Sequence, residues 1–320
     1  MIGTTGKRGK MKLSNIVFAM FTTFALAGSV FSAADAAEYK LYYLGGQSNM
    51  EGFGYVDELP KDATHASPDV VIFTGQMAFD NETHGGIGIW EPLQPGHGTG
   101  FKTDGKTNQL SNRFGPELLF GRTIVDLAPG SKIAIIKYAL GGSGLAEGVG
   151  YGNWHPDFSD GAGINQYDHA LTTMRNALAQ ADIDGDGVTD QLIPTGIVWM
   201  QGEADAVDSQ AAADEYRANL ERLMNLLRAA LRVDDLPIVI GKITDSGMVE
   251  DGSVMDYIET VQQAQQDFAT TDACAAYVTV TDDLAHSSDA WHYDTDGFVR
   301  LGTAFAEAMQ DLEQKCESND

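Results

Sequence analysis

Basic residues are scarce in this chain of 320 residues: 20 lysines and arginines stand against 46 aspartates and glutamates, a net charge of −26. Affinity for phosphate depends on its neutralisation by lysine and arginine, so the composition excludes nucleic acid as a favoured partner, and an anionic membrane surface with it. Apolar residues make up 43% of the chain, which excludes a disordered polymer. We find no internal repeat. The composition is that of a globular chain long enough to bury one large core or two smaller ones.

An uninterrupted apolar segment of membrane-spanning length is also missing. The apolar run at residues 16–31 is broken by polar residues and glycine, and it is shorter than the ~20 residues that a spanning helix needs. Lysine and arginine residues precede the run, and small residues follow it at 34–37. This order predicts a secretory signal peptide at residues 1–36, cut after Ala36, with a membrane anchor as the alternative. We therefore expect a secreted or periplasmic protein without a stable membrane anchor, whose single domain covers residues 37–320.

Cysteine is rare as well, and Cys274 and Cys316 are the two positions. Export into an oxidising compartment makes them candidates for one disulfide. Two cysteines so far apart in the sequence do not prove a bond, so their pairing stays open at this point.

Five short runs rich in β-branched residues lack the alternation of a half-exposed strand. They cover residues 39–44, 132–140, 195–200, 237–243 and 276–281. Strands buried on both faces have this pattern, which is typical of a parallel sheet covered by helices. Apolar residues recur with helical spacing between and after the strands, at residues 167–181, 216–231, 255–269 and 297–313. The alternation predicts a doubly wound α/β/α sandwich with a five-stranded parallel sheet.

The residues that could perform chemistry follow these strands. In an open parallel sheet, the ligand crevice lies beyond the carboxyl ends of the strands. Ser48 follows the first predicted strand, Gly142 the second and Gln201 the third, while Asp289 and His292 come after the fifth. One serine in a glycine-rich turn is usually a plain turn residue. The placement of several such residues at strand ends is what favours a catalytic site.

A serine, a histidine and a carboxylate together can hydrolyse an ester. The hydroxyl is a poor nucleophile until a base removes its proton, and the imidazole needs a carboxylate to fix its tautomer. Asp289 and His292 are three residues apart, a spacing that lets both side chains point the same way. The G-x-S-x-G turn of α/β-hydrolases is absent, because Met50 stands where its last glycine would be. The pattern therefore indicates a different design of serine hydrolase.

Four short motifs follow one another along the chain. They are G-Q-S-N-M at 46–50, G-G-S at 141–143, W-M-Q-G-E-A-D at 199–205 and D-A-W-H at 289–292. Together they resemble the SGNH superfamily of carbohydrate esterases, in the branch of sialate O-acetylesterases and acetylxylan esterases. The resemblance covers nearly all of the mature chain and implies a flavodoxin-like SGNH-hydrolase fold. It implies Ser48 as nucleophile, His292 as general base and then acid, and Asp289 as the orienting carboxylate.

The resemblance also implies an oxyanion hole. Its donors would be the backbone N–H groups of Ser48 and Gly142 and the side-chain amide of Gln201. Such donors stabilise the charge of a tetrahedral intermediate, and losing one costs about 3 kcal/mol. The residues that we expect in supporting roles around them are Gln47, Asn49, Glu203 and Asp205.

The implied activity is that of a secreted serine esterase that removes O-acetyl groups from carbohydrates through an acetyl-enzyme. Its partner would be an acetylated poly- or oligosaccharide, of the acetylxylan or acetylated sialic acid type, and catalysis would need no cofactor. A carbohydrate-binding protein that does not turn over is one alternative, since a fold does not imply activity. A lipase or thioesterase of the same superfamily is another.

The spacing of aspartate and histidine occurs twice. Asp283 and His286 repeat it six residues before Asp289 and His292. We prefer the later pair, because residues 293–297 follow it and open the last predicted helix, as they do in the family.

An acidic loop between the helical segment at residues 167–181 and the third predicted strand has the spacing of a calcium site. Acidic residues stand at relative positions 1, 3, 5 and 9, with a glycine at 6; they are Asp182, Asp184, Asp186 and Asp190. Alternate carboxylates can converge on one hard cation, and the glycine allows the turn between them. Ile193 stands where an EF-hand has its bidentate glutamate. We expect a structural Ca²⁺ here, with a solvated acidic turn as the alternative.

Overall fold

The computed structural model describes residues 1–6, 36–250 and 252–317, so that most of the predicted signal peptide lies outside the described residues. The main sheet has seven strands. They are β1 (Glu38–Gly46), β2 (Ser67–Thr74), β3 (Trp90–Leu93), β4 (Lys132–Ala139), β5 (Gln191–Met200), β6 (Ile238–Gly241) and β7 (Ala275–Val278). Three short two-stranded ladders accompany it, pairing Gly54–Tyr55 with Arg113–Phe114, Lys102–Thr103 with Asn108–Gln109, and Ser143–Gly144 with Gly152–Asn153.

The strand order is β7-β6-β5-β1-β4-β2-β3. Neighbouring strands run parallel except at the edge, where β3 pairs antiparallel with β2. The fold class is confirmed, and all five predicted strands are present. The count of five is corrected to seven, because β2 extends the sheet beyond β4 and β3 closes that edge.

Seven helices are described alongside the sheet. They are α1 (Ser48–Glu51), α2 (Glu117–Leu127), α3 (Gln166–Ala179), α4 (Glu203–Asp208), α5 (Gln210–Leu231), α6 (Ile258–Thr271) and α7 (Thr295–Glu317). Helix α2 packs against α7, and α5 packs against α6. An Asn165 capping box begins α3: the Asn165 side chain accepts the Asp168 N–H, and the Asp168 side chain accepts the Asn165 N–H.

The core lies on both sides of the sheet and is built from strand interiors and helix stripes. The stripe predicted at residues 216–231 is confirmed, because all six of its apolar side chains are buried in α5. Fully buried aromatic side chains, among them Tyr42, Phe120 and Trp199, fill the space against the central strands. The burial of this apolar surface is the main favourable term that holds the layers together.

The chain reverses its direction of winding at β1. After β1 the chain forms β2, β3 and β4 on one side of β1, and then β5, β6 and β7 on the other side. A crevice opens at such a switch point, beyond the carboxyl ends of the two central strands. Gly46 ends β1 with φ +147°, and a Cβ there would lie 1.9 Å from the Met200 carbonyl oxygen. Only glycine therefore allows the chain to turn so close to β5.

Candidate active site

The turn after β1 places Ser48 at the crevice. The backbone N–H of Gln47 donates to the Met200 carbonyl at 2.9 Å, which fixes this turn to the end of β5. Ser48 then begins α1 and is 6% exposed. The first N–H of a helix has no acceptor inside that helix. In the described part of the chain, the Ser48 N–H donates to no other group either.

Asp289 and His292 form a hydrogen-bonded pair on the loop before α7. His292 Nδ1 lies 3.0 Å from Asp289 Oδ2. The same carboxylate accepts the backbone N–H groups of Trp291 and His292 and the Ser287 hydroxyl, each at 2.9 Å. Partial burial works to raise the pKa of Asp289, but these hydrogen bonds outweigh it and hold the pKa at about 2. The carboxylate is therefore ionised at neutral pH, which suits the orienting role predicted for it.

Two contacts join the histidine loop to the serine turn. The His292 ring stacks on Phe53, with ring centroids 3.6 Å apart and planes 5° from parallel. Asn49 Nδ2 donates to the Trp291 carbonyl at 3.1 Å. Phe53 and Asn49 both lie within five residues of Ser48, so one short segment holds both Ser48 and the His292 loop.

The earlier pair, Asp283 and His286, has a different environment. The His286 ring packs on Tyr293, with centroids 5.1 Å apart, and burial lowers its pKa. The Asp283 carbonyl accepts a hydrogen bond from Arg300. Neither Asp283 nor His286 lines the cavity that contains Ser48 and His292. The structure thus brings the predicted later pair to the serine and keeps the earlier one away.

A cavity of about 560 Å³ connects these groups. Ser48 and His292 line it together with Gly142, Tyr151 and Glu203. This volume falls within the range of small-molecule sites in proteins.

The glycine turn after β4 supplies a second backbone donor to the cavity. Gly142 has φ +69°, a conformation that residues with a Cβ rarely adopt. The Gly141 N–H is occupied, because it donates to Glu51 Oε2 at 2.8 Å. The Gly142 N–H donates to no group in the described part of the chain. Ser48 and Gly142 therefore offer two unengaged N–H groups at one cavity.

The Gln201 amide, expected in the oxyanion hole, is hydrogen-bonded to other groups in this structure, and its place in the oxyanion hole stays a prediction. The Gln201 side chain is fully buried and is not among the residues that line the cavity. Its Nε2 donates to the Ser143 carbonyl at 3.0 Å and to Asp205 Oδ2 at 2.7 Å. The two hydrogens of the amide are thus already used in good geometry. Gln201 braces the wall, and Asp205 does the same by accepting the backbone N–H of Leu145 at 2.9 Å.

The residues predicted to support the nucleophile form a buried network. Asn49 Nδ2 donates to Glu203 Oε1 at 2.7 Å. Gln47 Oε1 lies 3.3 Å from the backbone nitrogens of Gly202 and Ala204. Burial raises the pKa of Glu203 to about 7, against the opposing effect of the Asn49 hydrogen bond. The network holds the Ser48 turn against the start of α4.

Four further residues belong to the candidate site and are not predicted from the sequence: Glu51, Phe53, Tyr151 and Trp291. Glu51 joins the two donor turns, and Phe53 supports the His292 ring. Tyr151 and Trp291 expose aromatic rings at the cavity. Glu51 could have been found, since it lies three residues after Ser48 on one helical turn. Tyr151 stands in a glycine-rich loop whose path no local pattern indicates.

The acidic loop assembles only in part as expected. Carboxylate oxygens of Asp182, Asp184 and Asp190 lie within 4.8 Å of one another, and Asp186 is not in this group. Asp190 accepts the backbone N–H groups of Ala37 and Ile183, at 3.1 and 2.8 Å. Lys132 Nζ lies 3.0 Å from Asp184 Oδ2 and competes with a cation for that oxygen. The donor set is one that Ca²⁺ accepts, and calcium stays a prediction.

The structure joins Cys274 and Cys316 in a disulfide, with Cα atoms 5.9 Å apart. Cys274 stands directly before β7, and Cys316 lies in the last turn of α7. The bond therefore ties the C-terminal helix to an edge of the sheet. Among the described residues, no helix combines the length and apolarity needed to cross a membrane.

The chain is similar to known carbohydrate esterases. A family model described as "Carbohydrate esterase, sialic acid-specific acetylesterase" matches residues 38–311. A probable carbohydrate esterase of Arabidopsis thaliana is 30% identical over 112 residues. That match covers 35% of this chain and only 38% of the relative's length.

Three solved structures share the fold. An Arabidopsis thaliana protein has a TM-score of 0.59 at 20% identity, over 87% of this chain and 99% of its own. A carbohydrate acetylesterase from Xanthomonas citri has a TM-score of 0.60 at 15% identity, over 86% and 56%. The protein NanS has a TM-score of 0.54 at 14% identity, over 90% and 100%. Since the family model covers most of the sequence, the chain belongs to the carbohydrate esterase family described as sialic acid-specific acetylesterase.

Proposed function

We propose that this chain is a serine esterase that removes O-acetyl groups from carbohydrates outside the cytoplasm. Membership of a carbohydrate esterase family supports the reaction class. The observation that carries the mechanism is the 3.0 Å contact between His292 Nδ1 and Asp289, on a cavity that also contains Ser48. Two unengaged backbone N–H groups at that cavity complete the requirements of acyl transfer.

In the first half of the reaction, Ser48 Oγ attacks the acetyl carbonyl carbon. Asp289 holds the Nδ1–H of His292, which leaves Nε2 free to accept the serine proton. The N–H groups of Ser48 and Gly142 stabilise the oxyanion of the tetrahedral intermediate. His292 then gives its proton to the sugar oxygen, the carbon–oxygen bond breaks, and the deacetylated sugar leaves.

In the second half, water attacks the acetyl group on Ser48 Oγ. His292 accepts a proton from the water and returns it to Ser48 Oγ as the ester bond breaks. Acetate leaves, and the free hydroxyl is restored. Asp289 stays ionised throughout, because the hydrogen bonds to it hold its pKa at about 2.

The proposed location outside the cytoplasm has support of its own. It is supported by the basic and apolar order of residues 7–31, which is typical of a secretory signal peptide. The Cys274–Cys316 disulfide also suits an oxidising compartment.

The proposal is tested by acetate release from acetylated xylan, acetylated sialic acid and simple acyl esters of increasing chain length. Ser48→Ala should lower the rate on every cleaved substrate by at least about 10³-fold, with an unchanged circular dichroism spectrum. Ser131→Ala, in the turn before β4 and outside the cavity, is the matched control and should keep full activity. Full turnover by Ser48→Ala would overturn the mechanism. Cleavage restricted to long acyl chains would point to a lipase, and binding without turnover to a carbohydrate-binding protein.

A further inference from the structure

Two aromatic side chains are exposed at the walls of the cavity. Tyr151 is 80% exposed and Trp291 is 38% exposed, and both line the cavity that contains Ser48. Large apolar surfaces left in water at a binding cavity indicate a ligand with an apolar face. The two faces of a pyranose ring carry C–H groups, which fit an aromatic ring.

Both aromatic residues are fixed to the catalytic elements. The Tyr151 N–H donates to the Gly142 carbonyl at 2.7 Å. Its ring lies directly against this glycine, since a Cβ on Gly142 would come within 2.5 Å of Tyr151 Cδ2. Trp291 is the residue before His292, and its carbonyl accepts from Asn49. A sugar held on these rings would therefore lie beside the groups that react with its acetyl ester.

The cavity walls contain few charged side chains. No described residue that lines the cavity is a lysine or an arginine, and Glu203 is the one carboxylic acid among them. Two basic residues donate to carbonyls close to its walls, Arg113 to that of Phe53 and Lys137 to that of Glu51, and both are engaged elsewhere as well. Arg113 stacks on the Tyr55 ring, 3.4 Å from its centroid, and Lys137 is buried 2.7 Å from Glu117. The whole chain carries a net charge of −26.

We propose that the cavity accepts the acetyl ester of an uncharged sugar, stacked on Tyr151 and Trp291, and that it discriminates against sialic acids and uronic acids. This inference rests on the proposed function and narrows its substrate class. A sugar carboxylate would enter a site that has no cation to pair with it, in a strongly acidic protein. Like-charge contacts of this kind cost affinity and slow association.

The first test compares two substrates that differ in one charge: mono-O-acetyl methyl glucoside and mono-O-acetyl methyl glucuronide. We expect kcat/KM to be at least about tenfold higher for the glucoside at low salt, and the gap to narrow as salt screens the repulsion. O-acetylated sialic acid should behave like the glucuronide. Equal or faster cleavage of the two acids would overturn the inference and leave the proposed function standing. Cleavage of glyceryl triacetate alone, with no sugar ester cleaved, would overturn both.

The second test removes the aromatic surface. Tyr151→Ala should lower kcat/KM for the acetylated glucoside about tenfold more than kcat/KM for glyceryl triacetate, which has no ring to stack. Tyr151→Phe should restore most of the loss. Phe79→Ala is the matched control, because Phe79 is 58% exposed and lies outside the cavity. Equal losses on both esters would show that Tyr151 serves only the Gly142 turn and would overturn its role as a sugar platform.

The third test adds a cation. Val207 lines the cavity, and Val207→Lys places an ammonium group there. We expect kcat/KM for the glucuronide to rise several-fold relative to the glucoside, with the effect lost at high salt. An unchanged ratio would show that charge does not govern selection and would contradict the inference.

Discussion

The Glu51 carboxylate accepts the backbone N–H of Gly141, with Oε2 and N 2.8 Å apart. Glu51 ends the helical turn that Ser48 begins, and Gly141 precedes the second unengaged donor, Gly142. The Glu51 carbonyl is fixed in turn by Lys137 Nζ at 2.9 Å. One buried side chain thus links the turn that contains Ser48 to the glycine turn.

Glu51→Ala should therefore lower kcat by about 10- to 100-fold with little change in KM, because small misplacements of catalytic groups are costly. Glu51→Gln keeps an acceptor for the Gly141 N–H and should retain most of the activity. Steady-state kinetics with thermal melts separate this effect from unfolding. A loss that appears only in KM would contradict the positioning role.

Replacing the histidine in each of the two aspartate–histidine pairs should have different effects on kcat. His292→Ala should lower kcat by about 10³-fold or more, since a triad without its base retains little catalysis. His286→Ala should retain most of the activity, because its ring packs on Tyr293 away from the cavity. Acetate release by both variants at matched concentration checks this. The reverse order would transfer the base to His286.

Most of the fold could be predicted, because strands buried on both faces have long apolar runs. The sequence pattern does not indicate strand β2, because only Val70–Phe73 in it forms a continuous apolar run, after a start in which Pro68 and Asp69 are exposed. Strand β3 contains Pro92 and two half-buried residues. It forms by pairing with β2, and no local sequence pattern indicates such a tertiary contact.

The candidate site could be predicted less completely than the fold. Ser48, Asp289 and His292 stand in motifs at strand ends, so the topology brings them together. For Gln201 the motif gives the position in the chain and not the direction of the amide, which donates to Asp205 and to the Ser143 carbonyl in this structure.

Glu203 makes stability depend on pH. Burial raises its pKa from 4.5 to about 7, so between these values the folded protein holds a proton that the unfolded chain has released. The free energy of unfolding should consequently fall as pH rises through this window, by about 3 kcal/mol from this group. Glu203→Gln should remove that part of the slope in urea titrations at pH 5, 6 and 7.5.

Burial raises the pKa of Asp205 to about 6, so some slope should persist in the Glu203 variant. Glu221→Gln, at an exposed position on α5, should leave the slope unchanged. A slope that is identical in wild type and Glu203→Gln would contradict the raised pKa.

Calcium should stabilise the acidic loop if Asp182, Asp184 and Asp190 share one ion. Saturating Ca²⁺ should then raise Tm by about 5 °C, because a ligand that binds only the folded state adds its binding free energy. Asp182→Asn with Asp184→Asn should erase the rise, while Asp186→Asn, outside the cluster, should keep it. Identical melting in calcium and in chelator would leave only a solvated acidic turn.

Covalent labelling tests the central claim most directly, because an organophosphonate reacts only with a serine that a base has activated. Peptide mass spectrometry of the labelled wild-type protein should find one adduct, on Ser48, with parallel loss of acetate release. His292→Ala should be labelled far more slowly. Full acetate release by protein whose Ser48 is quantitatively labelled, or an adduct on another serine that abolishes activity, would contradict the account.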